Sequence, residues 1–181
     1  MPREYDRDRL ERLSLYIASR SANDPKFGKT KLAKILFFSD FLAYVVIGDS
    51  ITGAEYKRLT QGPVPVAMYS AIKRIVKAGT GSIAETGYFN RDQQRLVALK
   101  PVDLEGFSAN EIALVDEIME ALRDADASAV SALSHTEAAW TCVPELETIP
   151  YHLAWVEPYP PSEEAIAVAR AAVQRLGLGS G

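Results

Sequence analysis

Residues 30–48 read TKLAKILFFSDFLAYVVIG and residues 56–77 read YKRLTQGPVPVAMYSAIKRIVK, with the polar run DSITGAE between them. The first stretch decides the fold. Leu32, Ile35, Leu36, Leu42, Ala43 and Val46 fall near one face at helical spacing, and Phe37, Phe38, Phe41, Tyr44 and Val45 fill most of the remainder. A helix that is apolar nearly all round is buried nearly all round. The pattern predicts one long central helix. Thr30 suits its N-cap, where a hydroxyl accepts a first-turn N–H. Gly48 and Asp49 stop it. A membrane span needs about 20 largely apolar residues, and Lys31, Lys34 and Asp40 leave runs too short for one. Asp40 is the most unusual charge. An isolated buried carboxylate costs several kcal/mol, so Asp40 is expected to pair with a buried Lys or Arg or to accept backbone hydrogen bonds.

Outward from this helix, Tyr5–Arg20 reads as an amphipathic helix with Leu10, Leu13, Tyr16 and Ile17 as its stripe. Ser21–Gly28 is a loop, and residues 51–59 hold a short strand. Thr60–Pro65 breaks regular structure. Gly62 takes a positive φ without a Cβ penalty, and Pro63 and Pro65 exclude a central strand. Pro65 is expected in the first turn of a helix over 66–78, with Met68, Ile72, Ile75 and Val76 inward and Lys73, Arg74 and Lys77 outward. Two strands, 82–88 and 94–99, form a hairpin. Ser108 with Glu111 forms a capping box for a helix that buries Ile112, Val115, Ile118, Met119 and Leu122. Helical pieces follow over 127–133 and 136–143. A proline-rich segment with Tyr151, Leu153, Trp155, Val156 and Tyr159 docks on the domain, and Ser162 caps a last helix, Glu163–Leu176. The fold class is α+β and predominantly helical: a single domain with a buried central helix and a small antiparallel β-hairpin. Residues 1–29 form an N-terminal helix and loop, 30–149 the core, and 150–181 the docking segment and C-terminal helix.

Two segments carry a family resemblance. One comprises Lys31, Leu32, Lys34, Ile35, Leu36, Phe37 and Phe38, then Tyr56, Lys57, Gly62, Pro63, Val64 and Tyr69. The other, about 70 residues on, is Leu133-Ser134-His135-Thr136-Glu137-Ala138-Ala139-Trp140. Together they resemble the Panacea domain, the SocA-like antitoxin domain, over Thr30–Ile149. That family often has Trp-Lys-Tyr-Gly-Pro where this chain has Tyr56-Lys57-Arg58-Leu59-Thr60-Gln61-Gly62-Pro63. Thr60 or Gln61 in place of a second aromatic bears on which partner this surface accepts.

At 181 residues, 48% of them hydrophobic, the chain fits one globular domain. The single cysteine, Cys142, excludes a disulfide framework and a zinc ribbon. The charged opening MPREYDRDRLERL lacks the apolar core of a secretory signal, and the expected compartment is the cytoplasm. Charge is uneven. Lys26–Lys77 carries nine Lys or Arg against three Asp or Glu, whereas Ala78–Gly181 carries six against sixteen. Such a block either marks a site for an anionic partner or faces the acidic half within the fold.

Catalysis finds little footing. His135-Thr136-Glu137 resembles the His-x-Glu of zinc deaminases, which need cysteine pairs as ligands. His135 and Glu137 therefore read as capping or bridging a helix start, with Trp140 in the core. Cys142 lies in an apolar run that suits a small buried hydrophobe, and His152 reads as structural. No metal, cofactor or enzyme activity is expected.

The resemblance implies an antitoxin that neutralises a cognate toxin by direct protein–protein binding, or one that delivers the toxin to a protease. A winged-helix-like DNA-binding regulator is the alternative outside the family. It would use Lys73, Arg74 and Lys77, but nucleic acid is not expected in an acidic protein whose hairpin tip carries only Arg91 and Arg95 as cations. The residues expected to touch the partner are Tyr56, Lys57, Arg58, Gln61 and Tyr69, which flank the Gly-Pro turn; Tyr and Arg are enriched at binding hot spots. The competing reading packs Tyr56 and Tyr69 under the turn. Lys31, Leu32, Lys34, Phe38, Gly62, Pro63, Val64, His135, Glu137 and Trp140 are read as the structural motif.

Overall fold

In chain order the elements are α1 (Arg7–Arg20), α2 (Lys29–Val46), β1 (Tyr56–Leu59), β2 (Gly62–Pro65), α3 (Met68–Lys77), β3 (Gly81–Tyr88), β4 (Arg91–Ala98), α4 (Ala109–Ala121), α5 (Ala127–His135), α6 (Ala138–Thr141), β5 (Thr148–Ile149) and a 3-10 helix (Tyr151–Trp155). The structure, a computed structural model, describes residues 2–88 and 91–156, and for 86–88 and 91–92 the backbone alone. Tyr159 and the helix expected at 163–176 lie outside these residues. The described residues form the predominantly helical α+β fold that the sequence predicts.

The central helix is α2. It buries Leu32, Ala33, Ile35, Leu36, Phe37, Phe41 and Ala43, and with them Lys31, Lys34, Ser39 and Asp40. Helices α4 and α5, strands β2 and β4, and the 3-10 helix pack against it. The apolar girdle therefore does what its composition predicts. Its start differs: Gly28 holds the N-cap position without a side-chain bond, and Thr30 lies inside the first turn. Phe38, beside the fully enclosed Phe37, is only half-buried. A fully buried Phe cut to Ala costs about 3–5 kcal/mol. Phe38→Ala is therefore expected to cost less, about 1–3 kcal/mol, and urea unfolding of Phe37→Ala beside it would show the difference.

Asp6 caps α1 by accepting from the Asp8 and Arg9 amides. Leu10, Leu13 and Ile17 then enter the core with no exposed surface. Arg9, also buried, donates to Ile51 O at 2.6 Å and pairs with Glu111 at 2.5 Å, joining α1 to α4. The Ser108–Glu111 capping box is present. Leu114, Val115, Ile118 and Leu122 form the buried face of α4, with Ile112 and Met119 half-buried. On α3, Met68, Ala71, Ile72 and Ile75 are buried, but Val76 is exposed. One residue past Ile75 is about 100° further round a 3.6-residue turn, which takes Val76 off the packed face.

Thr60–Pro65 does more than break the chain. Leu59 pairs with Gly62 and Tyr56 with Pro65, so β1 and β2 form a second hairpin closed by Thr60 and Gln61. The sheet order is β2-β1-β5, which makes β2 an edge strand. Only there is a missing proline donor harmless. Pro65 consequently ends a strand and does not open α3. The predicted hairpin is β3–β4, paired in register from Gly81↔Ala98 to Tyr88↔Arg91. Cys142 is exposed, not a buried hydrophobe, because α6 ends at Thr141 and turns its Ala138–Ala139 side to the core.

Candidate partner-binding site

The two motifs meet at the β1–β2 hairpin. Gly62 has φ +94°, and a Cβ there would lie 2.4 Å from Ser134 Oγ and 2.7 Å from Lys34 Cε. Helix α2 and helix α5 thus press on the turn from both sides, and only glycine allows the approach. The Lys34 ammonium donates to Pro63 O at 3.0 Å. The Arg58 guanidinium lies 4.0 Å over the Trp140 ring, and His135 stacks on the same indole at 4.0 Å. The Trp140 N–H points to Leu59 O at 3.4 Å, and Arg58 also donates to Val143 O. Desolvation first, then the charges of Lys34 and Arg58, lower the pKa of His135, leaving a neutral ring for the stack. Its Nε2 is buried without a partner among the described residues. Burial pushes the Glu137 carboxyl up. Glu137 caps α6 by position, with no side-chain bond.

Beneath the hairpin lies a closed polar network. Asp40, fully buried, accepts from the Thr52 amide at 2.7 Å, the Thr52 hydroxyl at 2.5 Å and the Tyr56 hydroxyl at 2.7 Å. Desolvation raises its pKa, and the bonds from Thr52 and Tyr56 pull it back. Asp40 therefore takes the backbone route that its sequence position allowed, supplemented by two hydroxyls. This corrects one expected contact residue: Tyr56 has no exposed surface. It packs edge-on against Phe37 and Phe41 at 5.6 and 5.5 Å. Side chains alternate along a strand, so Tyr56 inward places Lys57 outward. The signal that would have found it was Asp40 itself, a buried acceptor needing donors.

Lys57, Gln61 and Tyr69 are exposed as expected, and Arg58 is half-buried against Trp140. Gln61 and Tyr69 line one cleft of about 420 Å³ with Lys29, Thr30, Lys34, Thr60, Val64 and Leu146 among its walls; Lys57 and Arg58 lie outside it. Tyr69 is 56% exposed and Leu146 64%. Leu146, which the sequence did not single out, sits at φ +69°, a conformation that costs a residue with a Cβ about 1–2 kcal/mol. Backbone bonds hold it there: its N–H donates to Arg58 O at 2.8 Å, and the Arg58 N–H to Glu147 O at 3.0 Å. Nothing in a lone loop leucine announces this.

The model of the family described as antitoxin SocA-like, Panacea domain, matches residues 32–141, more than half of the chain. The chain belongs to this family. No curated protein and no solved structure matches it. The matched span runs from the first turn of α2 to the end of α6, so the contacts among Lys34, Gly62, Ser134 and Trp140 all fall within the Panacea domain. Elements outside the match complete its core. Ile149 is buried, and Tyr151 stacks on Phe41 at 4.7 Å while its hydroxyl donates to Ala54 O at 2.7 Å. Among the described residues no group of His, Cys, Asp and Glu is placed to hold a metal ion, and no helix is long and apolar enough to cross a membrane.

Proposed function

We propose that this Panacea domain is an antitoxin that neutralises a cognate toxin by burying part of the toxin's surface, through the cleft between Gln61, Tyr69 and Leu146. The observation that carries the reading is an exposed tyrosine on α3 and an exposed, conformationally fixed leucine before β5, both beside the hairpin where the two family motifs converge. Rigid anchors lose little entropy on binding. Two observations weigh against the DNA-binding alternative. Arg74, one of its three proposed phosphate contacts, is ion-paired with Glu11 at 2.5 Å. The hairpin β1–β2 also separates α2 from α3, where a helix-turn-helix has only a short turn.

The neighbouring reading frame is expected to arrest growth alone and to be harmless when expressed with this protein. A Gln61→Ala, Tyr69→Ala, Leu146→Ala triple variant should melt near the wild-type temperature and bind the toxin at least about 30-fold more weakly, as loss of a hot spot of about 2 kcal/mol would require. A harmless neighbour, or full protection by the triple variant, would sink the reading. Delivery to a protease would need the same contact, and it is told apart by protection that disappears in a host lacking the protease.

A further inference from the structure

Helix α2 buries two lysines and compensates only one. Lys31, 2% exposed, pairs with Asp24 at 2.7 Å and donates to Arg123 O at 3.0 Å. Lys34, one turn later and 1% exposed, donates a single hydrogen bond, to Pro63 O. An ammonium carries three donors, and buried charges are normally paired. Among the described residues no carboxylate lies within 4.0 Å of Lys34 Nζ. Lys34 lines the cleft described above, as does Lys29, and none of the lining residues is acidic. The cleft is thus a recess of mixed lining, free of acidic groups, with an incompletely paired cation in its wall.

We propose that the cleft receives an acidic side chain of the toxin, whose carboxylate completes the coordination of the Lys34 ammonium while its aliphatic stem packs between Tyr69 and Leu146. The proposal rests on the antitoxin reading for the occupant. A single recessed carboxylate fits better than a phosphate backbone, which needs a track of exposed cations. Moreover, the rim beyond Thr60 carries Glu145, whose carboxylate accepts from the Thr60 hydroxyl at 2.6 Å, and this would repel a polyanion.

Burial lowers the Lys34 pKa to about 8, so the free protein is mostly charged near pH 7 and mostly neutral near pH 9. A carboxylate seated on the ammonium holds the proton. Affinity should therefore fall about tenfold between about pH 7 and pH 9, with uptake of close to one proton on binding at the higher pH. Of the titratable groups near Lys34, His135 on α5 feels its charge, and Lys29 on α2 and Tyr69 on α3 share the cleft wall. His135 is already neutral in this range, its pKa being lowered.

The test is calorimetry on the full chain with the toxin from the neighbouring reading frame, at both pH values and in buffers of different ionisation heat. Lys34→Met should bind at least about 30-fold more weakly near pH 7 and lose the pH slope, while Lys29→Gln keeps the slope. The isolated Lys34→Met protein should melt no lower than wild type near pH 7. Below a pKa of about 8 the buried charge opposes folding, and that penalty fades as pH rises from about 8 towards the ordinary lysine value of 10.5. Wild-type affinity that is flat from about pH 7 to pH 9 overturns the proposal even if the variant fails to fold. Equal affinity and slope in Lys34→Met overturns it and leaves the antitoxin reading intact. A neighbouring product that is not toxic, or not bound, removes both. Binding of a short DNA duplex at physiological salt, lost in Lys34→Met, replaces the carboxylate with a phosphate.

Discussion

Asp40→Ala should cost about 3–5 kcal/mol, since each buried donor left unpaired costs about 1–3 kcal/mol, and that is a large share of a domain's whole stability. The substitution strands three donors at once: the Thr52 amide, the Thr52 hydroxyl and the Tyr56 hydroxyl. The amide cannot turn away, because it belongs to the segment leading into β1. Asp40→Asn should cost far less, since an amide oxygen still accepts from the Thr52 N–H and the two hydroxyls can rotate to accept from the NH2. The pair of variants also fixes the pH dependence. Burial raises the Asp40 pKa, so folding favours its protonated form. Its contribution is fullest below the ordinary carboxylate range and is lost as pH rises through the raised value. Urea unfolding of wild type and Asp40→Asn across acid to neutral pH should show the difference shifting in that direction. An Asp40→Ala protein with an unchanged denaturation midpoint would mean that the network contributes nothing.

Gly62→Val is expected to cost a further comparable amount, about 3–5 kcal/mol, from two sources. A β-branched residue at φ +94° is strained by about 1–3 kcal/mol. The new Cβ also overlaps Ser134 Oγ and Lys34 Cε, and overpacking adds about 1–3 kcal/mol. At roughly 2–4 °C per kcal/mol for a chain of this size, the melting temperature should drop by about 6 °C or more. Adding Ser134→Ala removes the closer clash and should restore part of the loss. A Gly62→Val protein that melts with wild type would show that the hairpin yields freely, and the cleft would then lack the rigidity argued for it.

Much of this architecture was legible because it rests on local periodicity. The apolar girdle of α2, the stripe of α1, the Ser108–Glu111 box and the β3–β4 hairpin all follow from side-chain spacing. Gly62 was legible for a local reason too, as the glycine of the Thr60–Pro65 breaker. What was not legible depends on partners far along the chain. Tyr56 looked like a surface aromatic beside Lys57 and Arg58, because alternation says which residues share a face but not which face meets the core. Pro63 and Pro65 exclude a central strand, and only the topology reveals the edge strand that they allow. Thr30 lost the cap because α2 begins two residues earlier than a Thr30 cap requires, at Lys29. Leu146 enters the cleft through a backbone conformation imposed by β1, some ninety positions upstream.

The clamp on the hairpin is drawn from distant chain. The Trp140 bond to Leu59 spans 81 positions, and the Arg58 bond to Val143 spans 85. A nascent chain that has emerged only through α4 has the central helix and the turn residues, but not Ser134, Trp140 or Leu146. Such a chain holds most of the cleft's lining but lacks Leu146 and the contacts of α5 and α6 that clamp the hairpin. The cleft is therefore completed late in translation, and a product truncated after α4 is expected to carry an unclamped hairpin.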